Sequence, residues 1–415
     1  MEVCRMAKIN RRLIFVFIII LILFAFSSAI SQEKKDETYK ALRLFSQVYR
    51  LIEENYFKEV NPKDLVLGAI QGMLSSLDPH SSLMKPEEFK ELEVETKGSF
   101  TGIGVEITIK DDVITVVAPI EGTPAWKAGL KPGDKILKID EKSTKGMKIT
   151  DAVKLLRGPK GTPVRLTILR GDRDIFEVTI IRDVIPIVSV RSKMLEPGYA
   201  YVRISQFQEK TPEELVSALQ KLESEGPIKG LILDLRNNPG GLLNAAIQVS
   251  DEFLEEGLIV SIRGRTKANQ MEFRAKPNPS NRKHKYPIAI LINHGTASAA
   301  EIVAAALKDN KRAVVIGEKS FGKGSVQTVI PIEDNYAVRL TTALYYTPSG
   351  QSIHNIGITP DFVIPSSEIS RTKAKNSNQT EETFPRRFPS PEEDLQVKVA
   401  LEILKNIQVV SQLKY

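Results

Sequence analysis

Beyond Val184 the chain alternates short, uncharged apolar strands with amphipathic helices, and few folds can absorb that pattern. "YAYVRIS" is followed by "TPEELVSALQKLES", "GLILDL" by "LLNAAIQVSDEFL", and "IAILIN" by "AAEIVAAALK", with "AVVIG" after it. Strands that are apolar on both faces, separated by helices, predict a largely parallel sheet with helices packed on it. Ligands in such folds bind beyond the carboxyl ends of the strands. "DLRNNPGG" (234–241) and "NHGTAS" (293–298) both hold that kind of position. At 415 residues the chain has room for two or three cores of this sort.

The rest of the sequence divides by texture. Residues 36–96 repeat apolar residues at three and four, in "TYKALRLFSQVYRLIEENY" and "NPKDLVLGAIQGMLSSL", which predicts an N-terminal helical subdomain. Residues 97–182 change to short β-branched runs broken by glycine and proline, which predicts a compact β-rich domain. The alternating region is taken as 183–366, a polar connection as 367–393, and a closing amphipathic helix as 394–415. At the other end Lys8, Arg11 and Arg12 precede the uncharged run "LIFVFIIILILFAF" (13–26) and the small residues "SSA". Residues 1–30 therefore read as a signal peptide or as a membrane anchor spanning 13–30, and either places the bulk of the chain outside the cytoplasm.

Composition closes off some chemistries. Cys4, the sole cysteine, precedes the apolar run, and the histidines at 80, 284, 294 and 354 have no metal-ligand spacing. No disulfide, thiolate nucleophile or metal is expected. The formal charge is +7, but Lys and Arg are interleaved with Asp and Glu, so no nucleic acid partner is expected.

Ser298 stands at the junction of a polar turn and the helix "AAEIVAAALK". A serine there is ordinarily an N-cap. It is also placed for nucleophilic attack, with alanines on both sides and helix-start N–H groups that could stabilise an oxyanion. A nucleophile needs a base. His294 is a weak candidate, because Gly295 and the turn break any helical spacing. Lys323, between two glycines in "FGKGSVQ", is a stronger one. A lysine acts as a base only when neutral, and burial lowers its pKa from about 10.4 toward that condition. Gln327, four positions on, would share a strand face with Lys323 and offer an amide oxygen to its amine. In "LDLRNNPGG", Gly240 and Gly241 would let backbone N–H groups approach a substrate carbonyl.

Taken together, "GTASAAEI", "FGKGSVQ", "LDLRNNPGG", "YYTPSGQSIHNIGITPD" and the terminal "DLQVKVALEIL" resemble landmarks of the carboxyl-terminal processing proteases, or tail-specific proteases. These are Ser/Lys peptidases with an inserted PDZ domain, and the resemblance runs from about residue 40 to the end. It implies a multidomain α/β fold: a crotonase-like α/β protease core, an inserted PDZ domain and an N-terminal helical subdomain. It further implies Ser298 as nucleophile, Lys323 as general base and Gln327 as its orienting partner. An N–H of Gly240 or Gly241 would join that of Ala299 in the oxyanion hole. Many members have two serines around the nucleophile; Thr296 and Ala300 stand there in this chain.

"TGIGVEI" (101–107) is similar to a PDZ carboxylate-binding loop, where Gly102 would precede the N–H groups of Ile103, Gly104 and Val105. Trp126 is expected in the core of that domain. Arg157 is a candidate for coupling the PDZ domain to the catalytic side, because a PDZ arginine does so in related proteases. The expected function is an exported serine endopeptidase, in the periplasm or on the outer face of the inner membrane, that binds apolar C-termini through its PDZ domain and cleaves upstream. It would need no cofactor, and a homo-oligomer and an adaptor protein are open as partners. Two other readings stand beside it: a non-catalytic PDZ scaffold, and a crotonase-type acyl-CoA enzyme, which export argues against.

Overall fold

The continuous apolar strands lie side by side in the middle of one sheet. In the computed structural model Gly230–Asp234 and Ile288–Ile292 are buried along their whole length and pair in parallel, Leu231 opposite Ile288 and Asp234 opposite Leu291. The six-stranded sheet runs in the order Val190–Glu196, Tyr199–Ile204, Gly230–Asp234, Ile288–Ile292, Ala313–Gly317, Phe362–Val363. Only its first pair is antiparallel. The structure describes residues 36–406 apart from 111, 172, 268–269, 280–283, 366–387 and 389–390. The signal or anchor expected over 1–30, most of the polar connection at 367–393 and the last residues of the expected terminal helix lie outside the described residues.

Alternation along each strand sorts the core into two layers, as a period of two requires. Leu231, Leu233, Ile288, Ile290 and Ile292 pack with helices Thr211–Ser224, Leu243–Phe253 and Ala299–Asp309. Ile232, Ala289, Leu291 and Ile316 face the other way, onto Val397, Ala400, Leu401 and Leu404 of helix Leu395–Lys405. The closing helix is therefore the cover of the second face. Burying each of its larger apolar side chains contributes about 1.5–3 kcal/mol. Asp394 caps it, accepting the N–H groups of Gln396 and Val397.

The β-rich insertion has its own core, with Ile114, Ile136, Ile139, Val164, Leu166 and Ile168 at its centre. Strands Val105–Lys110, Val113–Pro119, Lys135–Ile139, Pro163–Arg170 and Asp174–Ile181 pair antiparallel in that order, and short helices Pro124–Lys127 and Ile149–Leu156 pack on them. Trp126, expected in this core, is instead 51% exposed. The first helical turn turns its neighbour Ala125 inward, at 0% exposure, and a residue one step away on so short a helix faces out. A further antiparallel sheet is built by Leu258–Gly264, Gln270–Arg274, Ser325–Pro331 and Ala337–Tyr346.

Contacts divide the chain after Leu83. The first unit holds a helix over 36–55 and helix Pro62–Ser75, which starts at Asn61, whose side chain accepts the Lys63 N–H. Helix Pro86–Lys97, expected with these helices, falls in the second unit with the rest of the chain.

Candidate active site

Because their strands run parallel in adjacent positions, the loops after Asp234 and after Ile292 leave the same edge of the sheet and bind each other. Asn293 and Asn237 exchange hydrogen bonds, Asn293 Nδ2 to Asn237 Oδ1 at 2.8 Å and Asn237 N–H to Asn293 Oδ1 at 2.9 Å. Ala297 N–H donates to Asn238 O at 2.9 Å, and Thr296 Oγ1 donates to Leu235 O at 2.8 Å. The glycine turn and the serine turn are thus one assembly.

Ser298 heads helix Ala299–Asp309 at φ 54° and ψ −117°, far from the extended backbone of an ordinary capping serine. Such a conformation costs about 1–3 kcal/mol in a residue with a Cβ, and strain of this kind gathers at functional turns. Ser298 is partly exposed between the buried Ala297 and Ala299. Gly240 lies directly against it: a Cβ on Gly240 would be 2.8 Å from Ser298 Cβ and 2.9 Å from Ala299 N. Of the expected oxyanion donors, the Gly240 N–H is already committed, donating to buried Asn238 Oδ1 at 2.8 Å. Among the described residues the Ala299 and Gly241 N–H groups meet no acceptor, so these two amides are the available pair.

Glu301, which the sequence reading missed, joins the Ser298 and Lys323 segments. It is fully buried, and its carboxylate accepts from Ser298 N–H at 2.8 Å, Lys323 N–H at 2.9 Å, Gly322 N–H at 2.7 Å and the Ser320 hydroxyl. The backbones of Ser298 and Lys323 therefore hang on one side chain. Burial pushes the Glu301 carboxyl up, and these four hydrogen bonds oppose that by favouring its charged form. The sequence does carry a signal for it: "SAAE" is a serine followed three residues later by glutamate, the pattern of a helix-capping box. That pattern alone would name Glu301 a cap and no more.

Lys323 is half-buried in the loop before strand Ser325–Pro331. Burial, and secondly the positive charge of Arg339, push its amine below the ordinary lysine value. Among the described residues no hydrogen bond joins Lys323 Nζ to Ser298 Oγ; the structure brings their backbones together through Glu301, not their side chains. Gln327 donates to Thr341 Oγ1 at 2.8 Å, while its Oε1 is buried without a partner among the described residues, an acceptor facing inward. Lys323 precedes the strand and the ladder bulges between Val326 and Gln327, so the simple even-offset argument for their common face does not apply. His294 is 77% exposed at its side chain and lies 3.9 Å from Glu318, away from a role as base.

Behind the glycine turn, Asp234 is buried in a polar network. It accepts from Tyr201 Oη at 2.6 Å and from Arg236, which also pairs with Asp394 at 2.8 Å, and burial is outweighed by Arg236 and Arg203, which hold its pKa down at about 2. In the inserted domain Gly104 has φ 76°, and a Cβ there would sit 2.4 Å from Thr123 Cβ. The Ile103 and Gly104 carbonyls are occupied, by Ala125 N–H and by Ile120 N–H. Their own N–H groups find no acceptor among the described residues, which leaves a short cradle of amides after Gly102 and before strand residue Val105. Among the described residues Arg157 makes no hydrogen bond or ion pair with the Ser298 or Lys323 segments: its guanidinium lies over the Phe100 ring at 4.9 Å.

The chain matches the family model for peptidase family S41 over residues 198–364, a PDZ domain model over 115–170, and a model of the activating protease CtpB N-terminal domain over 25–88. It is 47% identical over 346 residues to a carboxy-terminal-processing protease of Bartonella bacilliformis, covering 82% of this chain and 79% of that one. It is 38% identical over 381 residues to carboxy-terminal processing protease CtpA of Bacillus subtilis, covering 91% and 79%. Among solved structures, a photosystem II D1 C-terminal processing protease aligns at 31% identity with a TM-score of 0.45, covering 78% of this chain and 92% of that one. The chain accordingly belongs to the carboxy-terminal processing proteases of peptidase family S41, serine-type peptidases that carry a PDZ domain.

Proposed function

We propose that this protein is an exported endopeptidase that binds the C-terminus of a protein or peptide in its PDZ domain and cleaves upstream by a Ser298, Lys323 and Gln327 mechanism. The observation that carries the catalytic part is Glu301, which hangs the backbones of Ser298 and Lys323 on one buried carboxylate beside the Ala299 amide. Neutral Lys323 takes the Ser298 proton, Ser298 Oγ attacks the scissile carbonyl, and the Ala299 and Gly241 amides receive the developing oxyanion. Lys323 then gives its proton to the leaving amine and activates the water that releases the acyl group. Gln327 Oε1, buried and without a partner among the described residues, is the acceptor that would orient the lysine amine once the side chains close. The amides of Ile103, Gly104 and Val105 would hold the substrate carboxylate, and the basic segment before the apolar run at 13–26 supports export.

A fluorophosphonate probe tests the nucleophile: mass spectrometry should place the adduct on Ser298, with a labelling rate that rises with pH as Lys323 loses its proton. An adduct elsewhere, or a rate flat from about pH 6 to 10, would remove the Ser/Lys mechanism.

A further inference from the structure

The inserted domain is carried on a two-stranded ribbon. Ser99–Gly102 enters it and Asp183–Pro186 leaves it, paired antiparallel with Gly102 opposite Asp183 and Ser99 opposite Pro186. Arg157 clasps this ribbon through Phe100, whose partner across the ladder is Ile185. At its base Ile187 N–H donates to Gly98 O, and Glu209 N–H donates to Thr96 O, both at 2.9 Å. Gly98 has φ 67°, and Gln208 fills the notch that its missing side chain leaves: a Cβ on Gly98 would be 2.5 Å from Gln208 Oε1. Gln208 is 1% exposed, and Oε1 has no hydrogen-bond partner among the described residues, so packing alone holds the end of this side chain. Its N–H donates to Thr211 Oγ1 at 2.8 Å, which shares a 2.7 Å hydrogen bond with Ser189 Oγ just beyond the outgoing strand.

One residue earlier the chain touches the catalytic turn. Phe207, fully buried, donates its N–H to Gly240 O at 2.8 Å and accepts Leu242 N–H at 2.8 Å. Gly241 approaches so closely that a Cβ there would lie 2.1 Å from Phe207 O. Gly240 in turn abuts Ser298 and Ala299. Consecutive residues thus bear on the ribbon of the PDZ domain and on the turn beside the nucleophile.

We propose that Phe207–Gln208 is the link through which the seat of the PDZ ribbon sets the catalytic glycine turn, with Gln208 acting as a positioning residue for the reaction. The inference rests on the function proposed above. Close-packed interiors transmit displacement rather than absorb it. A rotation of the ribbon at Gly98 presses on Gln208, and Phe207 passes the shift through two hydrogen bonds to Gly240 and Leu242. A misplacement of about 1 Å at a reacting centre costs up to about a hundredfold in rate, so a small movement suffices.

The test uses the full chain and two fluorogenic decapeptides, identical but for a free C-terminal carboxylate in one and an amide in the other. Wild type should cleave the acid form with the higher kcat. In Gln208→Ala the kcat for the acid peptide should fall about tenfold or more with KM within about twofold, bringing it down to the amide value. Gln208→Met, which refills the notch, should restore the difference. If Gln208→Ala keeps the wild-type ratio at unchanged thermal stability, the link is overturned while the recognition reading stands. Should Gln208→Ala be destabilised, Gln208→Met decides: stability restored together with the ratio supports the link, and stability restored without it overturns the link. A wild type that cleaves both peptides equally overturns the PDZ recognition reading and the inference with it.

Discussion

Removing the Glu301 carboxylate tests how the site is assembled. In Glu301→Ala four donors lose their acceptor at once: the N–H groups of Ser298, Gly322 and Lys323, and the Ser320 hydroxyl. Each buried donor left unmet costs about 1–3 kcal/mol, so the four together approach the whole stability of a domain, about 5–15 kcal/mol. The cheaper outcome is release of the loop around 320–324 to water, which separates Lys323 from Ser298, the proposed base and nucleophile. Glu301→Gln is milder. With its oxygen toward Ser298 and Lys323, the new amide meets Ser320 Oγ, which can turn and accept, and Gly322 N–H, which cannot. The Gly322 N–H and the Ser320 O–H are then both left without the acceptor that Glu301 gave them, at about 1–3 kcal/mol each. Steady-state cleavage of a fluorogenic peptide should show kcat reduced about tenfold in Glu301→Gln and about a thousandfold or more in Glu301→Ala, with KM little changed in both, since Glu301 lies beneath the site. Wild-type kcat in a folded Glu301→Ala protein would refute the reasoning.

Three other outcomes follow from the same geometry. Ser298→Gly should abolish cleavage yet raise stability by about 1 kcal/mol, because glycine adopts φ 54° without strain; a loss of stability in calorimetry would show that the serine turn is not strained. Arg339→Gln removes a positive charge that lowers the Lys323 pKa, so the basic pH at which kcat/KM rises should move upward and the rate at pH 7 should drop; an unchanged pH–rate profile argues against Lys323 as the titrating base. Asp234 is depressed from its ordinary 3.8 to about 2 in the folded chain. A carboxylate of that kind stabilises the fold above its unfolded pKa and ceases to do so as pH falls through the folded one. Thermal unfolding should therefore reveal about 2 kcal/mol lost between about pH 4 and 2, and a flat stability there would contradict the Asp234–Arg236 pairing.

Much of the fold was legible because it rests on local patterns. Continuous apolar runs such as "GLILDL" and "IAILIN" can be satisfied only by burial on both faces, and both became central parallel strands. Where a side chain faces is less local. Trp126 reads as core by composition, yet one step of a four-residue helix turned it outward. The four-residue offset predicts Gln327 on the same strand face as Lys323, but the strand starts only at Ser325 and bulges before Gln327.

The sequence by itself determined the residue types on which the proposed chemistry depends: a serine at a strand-to-helix turn, a lysine between glycines, and glycines after a buried strand. The strand–helix alternation around them predicted that both turns lie at the carboxyl ends of strands in one parallel sheet. Only the tertiary structure decided how these groups are tied together. It gave Glu301 four donors from two loops, spent the Gly240 amide on Asn238, turned Arg157 onto Phe100 and set Gln208 against Gly98. Periodicity reports neighbours within a few residues, whereas each of these contacts depends on where the backbone folds back on itself. Glu301 meets Lys323 at a separation of 22 residues, and Asn238, which takes the Gly240 amide, is itself anchored to Ile204 O across 34.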